Sequence, residues 1–372
     1  MGQRERIDSS KACPRTPSSK IRLSTITVSR GKFMAGSLIT VLSIAALSTY
    51  LLRALLFPLP PHSPIAINGD AHFSDRALAQ GWPGDGSPEN PYIIDGLQIA
   101  YRGLEAGSCI LISNTRVSFT ISNCILTDGG MVLENVNNGL IVDNFFNNSG
   151  ISLHQAHSNT VANNTGTSCG GIGINLVDSD SNTVSNNTCY NNWCAIHVDG
   201  SRHNTVTNNT CTSNELEGIG LGNSDSNTVA NNTCNDNHRE DLTGIGISLW
   251  ESESNTVVNN TCNSNDIGII LGGTPRSPYR LPDMDCWGEV GGGEVTHSNT
   301  VANNTCYNNW IGIYLGSGCE SSNIILNNTC SGNTEHDILE ESGIEEIPPD
   351  FFSCSDSQEL HFWVQDRECC QE

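Results

Sequence analysis

Between residues 172 and 315 the chain alternates apolar and polar positions in short bursts. Ile172, Ile174 and Leu176 form one, followed by Cys194, Ile196 and Val198, then Ile219 and Leu221. Ile245, Ile247 and Leu249, Ile267 and Ile269, and Ile311, Ile313 and Leu315 continue the series. Side chains two residues apart lie on one side of an extended chain, so each burst predicts a strand with one buried face. Glycine stands inside most of the bursts, where it costs a helix about 1 kcal/mol relative to alanine. After each burst comes a polar turn (VDSDS, GNSDS, ESES), a short Thr-Val strand, an asparagine turn and a third short strand.

The turns and short strands recur almost verbatim. SNTVSNNTC at 181–189 returns as HNTVTNNTC at 203–211, SNTVANNTC at 226–234, SNTVVNNTC at 254–262 and SNTVANNTC at 298–306. Weaker copies begin at Ser158 and Ser322. The first asparagines of the motif are 23, 22, 23, 28, 44 and 24 residues apart. The period is therefore about 22–23 residues, the mark of a solenoid. The interval of 28 holds a short insertion, and that of 44 holds one period plus a loop. Three short strands per repeat describe one rung of a right-handed parallel β-helix. A leucine-rich repeat needs leucines at several offsets and a helical segment, which this unit lacks. The second asparagine of each NNT predicts an inward ladder of stacked side-chain amides. The expected architecture is all-β, a solenoid of about 9–10 rungs over 109–333 with a loop insertion at 272–296.

Residues 1–32 carry eight of the 17 basic residues, and 33–52 follow without a charge. That length crosses a bilayer core. The basic lead places the N-terminus in the cytoplasm and the rest outside, with an anchor at 33–57; a signal peptide cleaved near Ala46 and Ser48 is the alternative. Residues 58–108 read as a stem and N-terminal cap, and 334–372 as a C-terminal cap or tail. Beyond Lys32, nine arginines face 38 acids, a formal charge of −29. Such a surface argues against nucleic acid as a partner.

Cys189, Cys211, Cys234, Cys262, Cys306 and Cys330 share one repeat offset and are expected to stack in a column. Burial as small hydrophobes, disulfides and Cu(I) binding are all open to them. Cys109, Cys124, Cys169, Cys194, Cys286, Cys319 and Cys354 stand outside the column and are the better candidates for bridges in an oxidising compartment. No short-spaced cysteine pair resembles a zinc site. Eight Asn-x-Ser/Thr sequons occur, at Asn147 and at the first asparagine of seven NNT motifs. They are formal glycosylation acceptors.

Aligning the rungs stacks the outward positions and brings His154, His197, Asp199, Arg202, Asp225, Trp250 and Glu253 towards one long face. His197, Asp199, Arg202 and Asp225 are the candidates for acid–base work on a polysaccharide. His154, Trp250 and Glu253 are the candidates for binding it, since an indole is a platform for a sugar ring. Ca²⁺ held by the carboxylates can bridge to a uronate. Turns also favour Asp, Ser and Asn for backbone reasons alone.

The SNTVxNNTC array, together with GWPGDGSPENPYIIDGLQI at 81–99, resembles exported parallel β-helix repeat proteins. These include the NosD-type and carbohydrate-binding/sugar-hydrolase domains of the pectate-lyase-like superfamily; the 81–99 phrase is similar to that of membrane-anchored archaeal members. The resemblance implies the fold, contact with carbohydrate or surface polymer, and, for NosD itself, help in loading copper onto an exported reductase. It transfers no catalytic residue: the Asp-Pro-His segment of some lyases and epimerases is absent, and the Asp/Arg rows match no lyase motif. The sequence thus predicts a membrane-anchored, extracytoplasmic rod binding polysaccharide. The alternatives are an enzyme on polysaccharide and an accessory protein for a copper enzyme.

Overall fold

Each repeat places its three strands on three different sheets, so the hydrogen bonds of a strand are met by the rungs above and below. In the computed structural model, residues 62–102, 107–239, 243–272, 296–316, 319 and 322–340 are described. Sheet one runs from Ile65–Asn68 to His336–Glu340 in 11 parallel strands. Sheet two runs from Tyr92–Asp95 to Ile324–Leu326 in ten. Sheet three holds seven strands from Gln98–Ala100 to Thr233–Asn235, and single bridges at Thr261 carry it on to a final pair, Thr305–Tyr307 and Thr329–Ser331. The chain is a right-handed-type parallel β-helix of about nine turns.

The core is one continuous column. Ile196, Ile219 and Ile247 stack from sheet one, Val184, Val206 and Val229 from sheet two, and Cys189, Cys211 and Cys234 from sheet three. All are at most 1% exposed. The six column cysteines are buried free thiols, so burial as small hydrophobes is what the fold makes of them. The expected bridges do not form at Cys109, Cys124 or Cys169, which are also free thiols. Cys109 and Cys124 point into the same core, and Cys194 lies on the outside of sheet one.

Buried corners are closed by polar side chains. Asn164, Asn187, Asn209, Asn232 and Asn260 form the expected ladder, each amide donating to the Oδ1 of the next at 3.0–3.1 Å. Two further ladders run beside it, from Asn159 to Asn323 and from Asn192 to Asn333. A fourth is built of Ser179, Ser201, Ser224 and Ser252. Across the 44-residue interval Thr256–Val258 pairs directly with Thr300–Ala302, so the interval adds no extra rung to sheet two.

Within 58–108, read from the sequence as a stem and N-terminal cap, Ile65–Asn68, Tyr92–Asp95 and Gln98–Ala100 are the first strands of the three sheets. Helix α1 (Asp70–Gln80) is inserted between two of them. Only Phe73 and Ala77, one turn apart, are buried, too short an apolar stripe to stand out among the strand patterns. Phe73 stacks on Tyr92 (5.0 Å between centroids) and lies 5.4 Å from Phe119, sealing the end of the column. The basic segment and the expected membrane anchor or signal at 1–57, most of the 272–296 loop and the tail beyond 340 lie outside the described residues. Among the described residues no helix is long and apolar enough to cross a membrane.

Candidate functional site

The outer face of sheet one carries the candidate residues in rows set by strand register. Glu134, His154, Val177, Asp199, Gly222 and Trp250 occupy one row. Ser152, Asn175, His197, Gly220 and Ser248 occupy the next. His154, Asp199 and Trp250 are thus each two rungs apart, about 10 Å at ~4.8 Å per rung. His197 shares a strand and a face with Asp199.

Towards the N-terminal end this face opens into a shallow polar depression lined by Glu134, His154, Gln155, Val177 and Asp178. Gln155 and Asp178 sit at the left-handed turns that end their strands of sheet one, with φ of 49° and 48°. The same turn is taken by Asn114 and Asn135, whose amides form a short exposed ladder with Asn68 at 2.9 Å per step. Gly200 holds this turn position one rung on. A Cβ there would stand 2.8 Å from Asp178 Oδ1, so the glycine leaves the carboxylate its place.

At mid-length a second group is packed shut. Glu217 interrupts an apolar run of one row, Ile172, Cys194, Ile245, Ile267 and Ile311, which ends at His336. It is 2% exposed and His197 5%. Ser248 Oγ donates to Glu217 Oε1 at 2.7 Å, Cys194 Sγ donates to Oε2 at 3.9 Å, and His197 Nδ1 lies 4.0 Å from Oε2. Gly220 makes the room, since a Cβ would come 2.3 Å from Oε2. Beyond this group the outer face turns apolar: Ile245, Ile267, Ile270, Ile311 and Tyr314 are buried, and half-buried Trp250 packs against them. Trp250 therefore presents part of its ring to the cluster, and part to solvent.

Arg202, Asp225 and Glu253 lie on the turn leading to sheet two. Arg202 pairs with Asp225 at 3.0 Å, and its backbone N–H donates to Asp180 Oδ1 at 2.7 Å. Asp225 accepts the N–H of Glu253 at 3.0 Å, and Glu253 pairs with His297 at 3.2 Å. These charges fasten successive turns. Asp199 takes a long contact from Asn223 Nδ2, 3.5 Å. The structure thus brings His197 to Glu217 and Ser248, Arg202 to Asp225, and His154 to Glu134 and Asp178. Glu217 stands ten residues before Asn227, outside the outward rows that the repeat alignment brings together. Its signal was a lone acid among apolar residues in aligned strands.

Three parallel sheets closed around asparagine ladders define a parallel β-helix repeat protein. The sequence model of the NosD family, described as periplasmic copper-binding protein, matches residues 88–238 and 149–277, just over half of the chain, and the protein belongs to that family. No curated protein matches the sequence. Among solved structures, the mannuronan C-5 epimerase AlgE6 A-module of Azotobacter vinelandii is 15% identical with a TM-score of 0.44, over 73% of this chain and 94% of that one. An alginate lyase from Paenibacillus sp. aligns at 12% identity and a TM-score of 0.46, over 74% and 98%. Pectate lyase Pel9A aligns at 12% and 0.47, over 74% and 80%. The copper of the family description finds no fitting donor set here: among the described residues no three His, Cys, Asp or Glu side chains gather at ligand spacing. The soft sulfurs of the column are sealed in the core.

Proposed function

We propose that the protein is an extracytoplasmic rod, held at the membrane by its N-terminal segment, that binds polysaccharide along the outer face of sheet one. The observation that carries this reading is the open depression in which His154 lies between Glu134 and Asp178, on a row that continues to Asp199 and Trp250. Carboxylates, an imidazole and amides in line suit the hydroxyls of a polymer lying along the rod. The acidic surface favours a neutral or amino-sugar polymer, and admits a polyuronate only with Ca²⁺ between the two sets of carboxylates.

The test is binding of the full-length protein to a panel of neutral, basic and acidic polysaccharides, with and without Ca²⁺. Loss of roughly tenfold in affinity in His154→Ala and Asp178→Asn, with an unchanged fold, supports the reading. Equal binding by wild type and both variants sinks it. Turnover is the second reading, favoured by the buried carboxylate of Glu217 beside His197; product formed by wild type and abolished in Glu217→Gln would establish it.

A further inference from the structure

The corner between sheets two and three lies opposite the face just described. At seven successive rungs its left-handed residue is the first asparagine of an NNT motif, Asn163 to Asn327, with φ between 53° and 57°. All seven are exposed, while the asparagine that follows each turns inwards to the ladder. The backbone N–H of Asn186 or Asn208 is used by the next rung, at 3.1 Å in both cases. Among the described residues none of the seven side-chain amides has a protein partner.

The fold alone does not require this pairing of residues. The same turn is made by Gly96, Asn123 and Asp143 in the first rungs. The threonine two residues on takes an outward position that Ile125 and Phe145 fill equally well. An exposed left-handed asparagine and an outward hydroxyl residue at +2 coincide only where the sequon is complete, and they do so in every later rung. The surroundings agree. From Thr160 to Ala302 on sheet two and from Thr165 to Tyr307 on sheet three, no outward side chain is charged. An ordinary soluble surface is about 25–35% charged.

We propose that this corner is a column of N-glycosylation sites, and that the oligosaccharides clothe the two uncharged sheets and leave the outer face of sheet one bare. The donor is a phosphate-activated oligosaccharide supplied with its transferase by the cell. A bond forms between Asn Nδ2 and the anomeric carbon, and the anomeric C–O(phosphate) bond breaks. The phosphate leaves with that electron pair, and the Nδ2 proton passes to a base of the transferase. The inference rests on the export reading.

The experiment is peptide mass spectrometry on the full chain from its own cells, with protease shaving of intact cells as an independent readout of export. The expected result is a hexose-containing adduct on first asparagines such as Asn208, and none on Asn209. Thr210→Ala removes the adduct at Asn208 alone, and Thr210→Ser keeps it. A chain that external protease cuts, with all seven asparagines unmodified, overturns the glycosylation and leaves export standing. A chain shielded from the protease and unmodified overturns both.

Discussion

Asn209 reaches across the rung boundary to Asn232, its amide donating to Oδ1 at 3.0 Å and to Val184 O at 2.9 Å. Its own Oδ1 accepts the N–H and the side-chain amide of Asn187 at 2.9 and 3.0 Å. One side chain thus closes the corner of three rungs. Asn209→Leu keeps the volume and strands several buried polar groups, each costing about 1–3 kcal/mol. The expected loss in urea unfolding is roughly 3–6 kcal/mol. Asn328→Leu, at the half-buried end of the ladder, should cost less than half as much. Equal losses would mean that the ladder does not act through burial.

This relationship also marks how far the sequence could be read. Strand alternation and the repeat period fix the three sheets, because a rung contacts only its neighbours and every neighbour carries the same signal. The ladder at Asn209 was visible as a motif. That through Asn192 and Asn214 was not, since its flanking residues vary (Asn-Trp, Asn-Glu) and only the backbone shows them stacked. Helix α1 was hidden by its length. The site was least legible: Glu217 lies six residues after Cys211 and Ser248 six before Ser254, both outside the repeated motif, and only the register brings them together.

The stacked thiols make alkaline pH the weak side of the rod. Burial raises the thiols of Cys189 and Cys234 well above their usual range, and pushes Cys124 up to about 11. A thiol raised in the folded state gives its full contribution below the unfolded value near 9. The contribution falls as pH rises from there towards the folded value, by up to ~1.4 kcal/mol per pH unit for each thiol that ionises only on unfolding. Denaturation midpoints should therefore be flat from pH 6 to 8 and drop above about pH 9. Alkylation of the column at pH 8 should require unfolding. Rapid labelling of native Cys211 by iodoacetamide would contradict the sealed core.

Glu217 is held by a donor that can be removed cleanly. Ser248→Ala deletes the 2.7 Å bond to a carboxylate that is 2% exposed, and should destabilise the rod by about 1.5–3 kcal/mol. Gly220→Ala drives a methyl group into Oε2 and should cost about 1–3 kcal/mol as overpacking. Because both act through Glu217, their effects measured in a Glu217→Gln background should shrink. Full additivity in that double-mutant cycle would show that the carboxylate is not the shared partner.

The amino-terminal seal should respond to acid. Asp70 opens helix α1, and its Oδ1 accepts Thr115 Oγ1 at 2.6 Å and the N–H of Arg116 at 2.8 Å. These bonds, the threonine hydroxyl foremost, hold its carboxyl below 3.8. The folded value is depressed, so the contribution is present above about pH 4 and lost as pH falls through the folded value. Asp70 is exposed, so the term is small, below ~1 kcal/mol. It is nonetheless local, because Phe73 and Ala77 are the helix residues buried against the column. Hydrogen exchange of the α1 amides should accelerate a few-fold below pH 4 in the wild type. Asp70→Asn should show that faster exchange at neutral pH and little further change on acidification. An α1 whose protection ignores both acid and the substitution would mean that the aromatic stack at Phe73 holds the seal unaided.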